Sequence, residues 1–404
     1  MLSTSREMST FNGIGCMSGS SLDGLDICHV EFTGDLDADI WGYRILQGET
    51  IPYAKDWEER LQNSNILCGR ELIQLHVQYG HFIGKTVSDF MERNKIRVVD
   101  FVASHGHTVF HQPGDGYTFQ LGEGETTAIY LSCPFVCNFR CRDVALGGQG
   151  APLVPVGEKF LFSYYEICIN IGGIANIGLR GEMGYDICAS NSVLNHLASI
   201  TDSQLKFDNE GRLAESGTVV EELLEKLEGL GFYKEPPPKS LDRSWTDANV
   251  LPLLDCNKYK TTDLLRTYTE HVATRISAEC IRHKSRISDV SSKSKTLPKI
   301  LLTGGGAFNK FLVRLIRDKL KVHDLEIDEV DEGTINFKEA LVFAFLGLRC
   351  LLGEENVHSD VTGAKTNSVS GSIHRPLKVG LKNEIGSSNS RFTVKLHRQT
   401  SMSP

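Results

Sequence analysis

At 404 residues the chain is long enough for two or three domains, and 40% apolar with 23% charged residues is the composition of a globular protein with a large core. A net charge of −8 argues against broad nucleic-acid binding, so an anion such as ATP would need a local donor site working against that field. Met1 to Asn12 is polar with no apolar leader core, and the greasiest run, Ala340 to Leu348, is too short to span a bilayer and reads as a buried helix.

In chain order, a short apolar strand at Ile14 to Met17 opens the first half. It is followed by the turn Ser18-Gly19-Ser20-Ser21 and a strand from Leu25 to Phe32 with Cys28, Val30 and Phe32 on one face. In Gly19-Ser20-Ser21-Leu22-Asp23-Gly24-Leu25-Asp26, glycines permit close approach of backbone to a phosphate, hydroxyls can bind its oxygens, and Asp23 or Asp26 could hold Mg²⁺. An ordinary hairpin turn fits the same residues, and no Walker lysine follows. A strand at Val98–Ala103 leads into Ser104-His105-Gly106-His107-Thr108. Two histidines two apart with His111 beyond lack a cysteine or carboxylate partner at zinc spacing, so ligand contact or loop packing is the better reading.

The chain has eleven cysteines, an odd number without a Cys-x-x-Cys pair, which reads as buried, reduced thiols in a cytoplasmic protein. Cys133, Cys137 and Cys141 are placed on a strand around Phe135-Val136, where residues four apart lie about 13 Å apart, too far for shared ligation. Arg140 and Arg142 stand in a glycine-dense segment that runs on through Gly147-Gly148-Gln149-Gly150. Arginines there suit bidentate recognition of a carboxylate or phosphate, or an ion pair with Asp143.

Near the middle the opening recurs. The strand Ile167 to Ile171 meets a turn at Gly172-Gly173-Ile174-Ala175-Asn176, and a further strand starts at Ile177. Strand, glycine turn and strand thus occur twice, which predicts a duplicated architecture. Asp186 is placed at the end of a strand, just before a helical stretch near Ser192, where it could be a general base or a cap. Helical spacing marks Leu223–Leu230, Leu265–Ile276 and Leu312–Leu320. Pro236-Pro237-Pro238 forms a rigid connection, Ser291 to Pro298 an exposed loop, and the tail beyond Leu377 is predicted disordered. Between strand and helix, Gly304-Gly305-Gly306 favours approach of a flat ligand or phosphate to bare backbone, with Asn309 capping the helix that follows.

In this order, Met17-Ser18-Gly19-Ser20-Ser21-Leu22-Asp23-Gly24, Ser104 to Thr108, Phe139 through Pro155, Asn170 to Asn176, Pro238-Lys239-Ser240, Gly304-Gly305-Gly306 and Val361-Thr362-Gly363-Ala364 resemble the anhydro-N-acetylmuramic acid kinase family. The resemblance spans residues 12 to 374. It implies an α/β fold of the sugar kinase, Hsp70 and actin superfamily: two actin-like, ribonuclease H-like lobes with mixed sheets flanked by helices and an ATP cleft between them. The lobes are expected at residues 12–160 and 161–374, with a tail at 375–404. The implied reaction opens the 1,6-anhydro ring with water and phosphorylates the freed oxygen, giving N-acetylmuramic acid 6-phosphate in peptidoglycan recycling. Asp186 falls on the family's catalytic base. Gly19 to Asp26, with Gly172, Gly173, Asn176 and Gly304 to Gly306, falls on the ATP side, with Asp23 toward Mg²⁺. His105, Arg142, Gln149 and Glu339 fall on the sugar side.

The resemblance implies small-molecule partners, an anhydrosugar and ATP, and leaves room for a homodimer. The chain departs from the family pattern in places. Ile187-Cys188-Ala189-Ser190-Asn191 replaces the usual Thr-Gly-Pro-Gly-Asn, His107 stands for a glutamine and Ser20 for a threonine. A kinase for another anhydrosugar such as levoglucosan is one alternative. A non-catalytic ATP- or sugar-binding regulator is another, against which the retained Asp186 argues.

Overall fold

A computed structural model describes residues 8–19, 22–180, 183–237, 239–285 and 299–376. Ser20 and Ser21 of the first glycine turn, Pro238, the segment 291–298 and the tail beyond 376 lie outside them. The thirteen strands among the described residues are β1 (Ser9–Ser18), β2 (Gly24–Asp35), β3 (Ile40–Pro52), β4 (Phe101–Ser104), β5 (His107–Gln112), β6 (Tyr117–Leu121), β7 (Phe135–Cys137), β8 (Ile167–Ile171), β9 (Ile174–Leu179), β10 (Met183–Ala189), β11 (Lys299–Thr303), β12 (Glu326–Ile327) and β13 (Ser372–His374).

The chain divides into two compact units, one running to Val156 and resuming at Glu339, the other formed by Gly157–Lys338. In the first, a six-stranded sheet has the order β13-β7-β4-β1-β2-β3. β1 is antiparallel to β2 and β2 to β3, whereas β4 is parallel to both β1 and β7. Leu25, Ile27, Cys28, Val30 and Phe32 are all fully buried, so β2 is covered on both faces and carries apolar residues on each. One face packs Ile14, Leu25 and Ile27 against Leu75, Tyr79, Ile83, Val87 and Phe90; the last five come from the helix Gly69–Arg93. Elsewhere in the unit Phe32 and Trp41 meet Phe345 at ring separations of 5.6 and 5.3 Å. Each such buried phenylalanine contributes about 1.5–3 kcal/mol through loss of apolar surface from water.

Phe345 belongs to the helix Glu332–Leu352. From Glu339 on the chain returns to the first unit. A Cβ on Gly15 would lie 1.9 Å from the Ala340 carbonyl oxygen, and one on Gly347 2.5 Å from the Ala103 Cβ. Glycine at those places lets helix and sheet approach until little but backbone separates them. β13 then pairs antiparallel with β7 and completes the sheet edge.

The second unit holds a five-stranded sheet, β10-β9-β8-β11-β12. β8, β9 and β10 form an antiparallel meander, and β11 runs parallel to β8 and β12. This repeats the β3-β2-β1-β4-β7 order of the first unit, so the duplication expected from the two glycine turns is present in strand order and direction. Its core joins Ile169, Ile171, Ile177 and Ile187 to Leu264, Tyr268, Val272 and Ile276 of the helix Thr261–Arg282, and to Leu312, Ile316 and Leu320 of the helix Lys310–Lys321. The Asn309 side chain accepts from the Leu312 N–H at 3.0 Å, the expected cap.

Smaller differences have local causes. β9 begins at Ile174, so the tight turn is Gly172-Gly173 alone and Asn176 lies within a strand. Cys141 opens the short helix Cys141–Ala145 instead of extending β7. Asp186 sits inside β10, three residues before its end. No helix among the described residues is long and apolar enough to cross a membrane.

Candidate active site

In both units the chemically distinctive loops leave the carboxyl ends of corresponding strands, where open α/β sheets commonly present ligand sites. The β8–β9 turn corresponds to the β1–β2 loop, and Gly304–Gly306 after β11 corresponds to His105–Gly106 after β4.

In the second unit, strand register lines up four polar residues: Thr303 opposite Asn170, Asn170 opposite Asn176, and Asn176 opposite Asp186. Register slips between Asp186 and Cys188, a bulge that re-aims the chain next to the aspartate. Burial raises the Asp186 pKa, partly offset by a hydrogen bond from the Leu241 N–H to Oδ2 at 2.8 Å and by one from the Ser240 side chain. A carboxylate held back from ionising by desolvation is a suitable proton acceptor.

The neighbouring glycines separate into two kinds. Gly304 has φ of +82° and a Cβ there would lie 2.4 Å from Asn170 Oδ1, while one on Gly306 would lie 2.2 Å from Ile171 Cγ2. The fold itself demands both. Gly305 is different: its nearest neighbour would be Asn191 Nδ2 at 3.7 Å. Gly172 and Gly173 would meet nothing closer than 3.4 and 3.8 Å. Here the protein's own packing does not require glycine, which points to something outside it. The helix Asn191–Thr201 begins beside this turn, with the Asn191 N–H donating to the Gly172 carbonyl at 3.1 Å and the Ser192 N–H to that of Gly173 at 3.2 Å.

In the first unit, Gly19 follows β1, Leu22 has φ of +59°, Asp23 is exposed, and Gly24, Leu25 and Asp26 open β2. Beneath the loop, Tyr53 donates its hydroxyl to Ser18 Oγ at 2.8 Å, and Ser18 Oγ lies 3.0 Å from His107 Nδ1. Burial pushes the His107 pKa down to about 4, so the ring is neutral. The Asp26 pKa is pushed up to about 6, by burial first and then by the nearby charges of Glu339 and Asp23, against a hydrogen bond from Thr50. The native carboxylate is therefore strained when charged. That cost is full above about pH 6 and vanishes below the unfolded pKa. Asp26→Asn is accordingly expected to stabilise the ligand-free protein by about 2 kcal/mol at neutral pH and by almost nothing near pH 4. Urea unfolding at the two pH values measures this.

His105, buried, accepts at Nε2 from the Arg140 Nε at 3.0 Å and donates from Nδ1 to the Gly106 carbonyl. Burial and the Arg140 charge hold its pKa near 3. Arg140 also donates to the Gly150 carbonyl at 2.8 Å, whereas Arg142 donates to the Val369 carbonyl. Of the two arginines weighed from sequence, Arg140 is the one joined to His105. Gln149 lies on a loop held by fully buried Asp143, which accepts from the Gly150 N–H at 2.7 Å and from the Thr362 hydroxyl at 2.6 Å. No local pattern in the sequence joins Ser18, Tyr53 and His107 into a network or Leu241 to Asp186. A departure from the family pattern at His107 was the one signal available for the first group. Among the described residues no group of three or more His, Cys, Asp or Glu is arranged to hold a metal ion.

Repeated mixed sheets with glycine turns at their strand ends, and a half-buried aspartate on one of them, define a duplicated α/β protein. The family model for anhydro-N-acetylmuramic acid kinase matches residues 12–376, and the chain belongs to that family. It is 31% identical to the anhydro-N-acetylmuramic acid kinase of Francisella tularensis subsp. novicida (strain U112) over 389 residues, covering 89% of this chain and 98% of that protein. It is 30% identical to that of Vibrio vulnificus (strain CMCP6), covering 87% and 95%. Among solved structures, component A of the (R)-2-hydroxyglutaryl-CoA dehydratase of Acidaminococcus fermentans is 12% identical with a TM-score of 0.38, over 83% of this chain and 96% of that one.

Proposed function

We propose that the chain is an ATP-dependent kinase that hydrolytically opens the 1,6-anhydro ring of anhydro-N-acetylmuramic acid and phosphorylates O6, giving N-acetylmuramic acid 6-phosphate. The observation that carries this reading is the second unit's arrangement: Asp186 lies in register with Asn176 on a sheet whose turns hold glycines that the protein's own packing does not need.

Asp186 takes a proton from water, and the water oxygen bonds to the anomeric carbon as the bond from that carbon to the bridge oxygen breaks. The freed O6 attacks the γ-phosphorus of ATP, and the β–γ bridging oxygen leaves with ADP. Ring opening thus creates the nucleophile where the phosphoryl group must arrive, and transfer then depends on positioning and charge stabilisation. Main chain at Gly172, Gly173, Gly305 and Gly306 binds phosphate oxygens. From the first unit, Gly19 to Asp26 serves the phosphates, and His105, Gln149 and Glu339 serve the sugar. Arg142 is retained on the sugar side, joined by Arg140 through its bond to His105. The carboxylates of Asp23 and Asp26 are hard oxygen donors that fit Mg²⁺ directly or through water, and the ion when bound supplies neutralising charge.

The test is ATP consumption over a panel of anhydrosugars, with mass analysis of the product formed in ¹⁸O-water. The expected product carries the label at the anomeric position and none in the phosphate ester. Turnover of levoglucosan without turnover of anhydro-N-acetylmuramic acid would replace the sugar assignment.

A further inference from the structure

We propose that the segment Lys239–Leu241 is a positioning clamp on Asp186, fixing the orientation of the carboxylate and setting the acidity at which it accepts a proton. This rests on Asp186 being the base.

β10 is the edge strand of its sheet. At Asp186 the backbone on that edge is taken up by a loop instead of a further strand: the Asp186 N–H donates to the Lys239 carbonyl at 2.9 Å. The same loop returns to the side chain, the Leu241 N–H donating to Oδ2 at 2.8 Å and the Ser240 side chain helping to lower the carboxyl pKa. Three consecutive residues therefore hold main chain and carboxylate of one aspartate, at the point where strand register slips. These contacts leave the carboxylate with further lone pairs for water.

The loop is itself anchored. Lys239 Nζ donates to the Phe232 carbonyl at 2.9 Å and lies 4.4 Å from the centre of the Phe232 ring. Leu241 is buried. Next to Phe232, the Tyr233 hydroxyl bonds to His271 Nε2 at 2.9 Å, and His271 and Arg275 both reach Glu228 at 2.6 Å. A loop bound at both ends cannot follow the aspartate passively, so it constrains it. Cys188 on the same strand feels the charges of Arg275, Glu228, Asp186 and Glu279, and Lys239 on the loop those of Glu279, Arg282, Glu235 and Arg275. Burial keeps the Cys188 thiol protonated.

Ser240 is exposed, so its variants should fold. The experiment compares the pH dependence of kcat/KM for the full-length wild type, Ser240→Ala and Ser240→Thr, with ATP and anhydro-N-acetylmuramic acid. Loss of a donor to the charged form raises the base's pKa, so the acid limb of Ser240→Ala is expected about half to one unit higher. Its kcat should fall about threefold to tenfold at the acid end, with both KM values within about twofold of wild type. Ser240→Thr, which keeps the hydroxyl, should restore the limb. An unmoved limb overturns the clamp, and so does a raised sugar KM with an unmoved limb, which would make Ser240 a direct substrate contact. Full activity of Asp186→Asn would instead remove the base itself, an outcome separable from failure of the clamp.

Discussion

Asp186→Asn is expected to lower kcat about 10³-fold while ATP still binds. The amide keeps an oxygen that can accept from the Leu241 N–H, so the loop's grip on the side chain is largely preserved. What is lost is the capacity to take a proton from water, and a positioned general base typically supplies about 10²–10⁴ in rate. Steady-state turnover together with equilibrium titration of ATP measures both halves of the expectation. Wild-type turnover would remove Asp186 from the chemistry. Loss of ATP binding along with turnover would mean that the residue acts on the nucleotide.

Gly305→Val is expected to raise the KM for ATP at least about tenfold, with little change in thermal stability. The two readouts separate because Gly305 differs from its neighbours. Valine at Gly306 would collide with the Ile171 side chain, and at Gly304 it would face both a left-handed backbone and Asn170. Either would damage the fold before it told anything about a ligand. At Gly305 the nearest protein atom is 3.7 Å from an added Cβ, so the new side chain occupies space that belongs to whatever approaches that backbone. A tenfold loss of affinity corresponds to about 1.4 kcal/mol, within the range for displacing one phosphate or ribose contact. An unchanged KM in a stable Gly305→Val protein would show that the nucleotide does not pass over this turn.

Much of the architecture could be read from local pattern. The buried run through Leu25, Ile27, Val30 and Phe32 marks a strand covered on both sides, and Leu312, Ile316 and Leu320 mark a helix that buries one stripe and ends its N-terminus on Asn309. Both signals depend on residues within a few positions of one another. The glycine turns at 172–173 and 304–306 were visible for the same reason. Sequence alone does not distinguish Gly304 and Gly306, which neighbouring atoms demand, from Gly305, which they do not. That difference depends on Asn170 and Ile171, more than a hundred residues away.

Long-range partnerships were likewise out of reach. Nothing near Ala340 announces that its carbonyl will rest on Gly15. Arg140 and Arg142 are two residues apart and chemically equivalent in sequence. Only the turn into the helix Cys141–Ala145 sends one to His105 and the other to Val369. The bulge at Asp186 and the loop that grips it join residues more than fifty positions apart, which no periodicity records.

The return of the chain at Glu339 has a consequence for biosynthesis. Residues 157–338 form an uninterrupted stretch that can pack its sheet as soon as it leaves the ribosome. The other sheet begins to emerge first yet finishes last, because β13 and the helix residues that cover it are encoded beyond that insert. Through most of translation the nascent β1, β2 and β4 must therefore wait with one face bare, a stage at which exposed apolar surface is prone to aggregate.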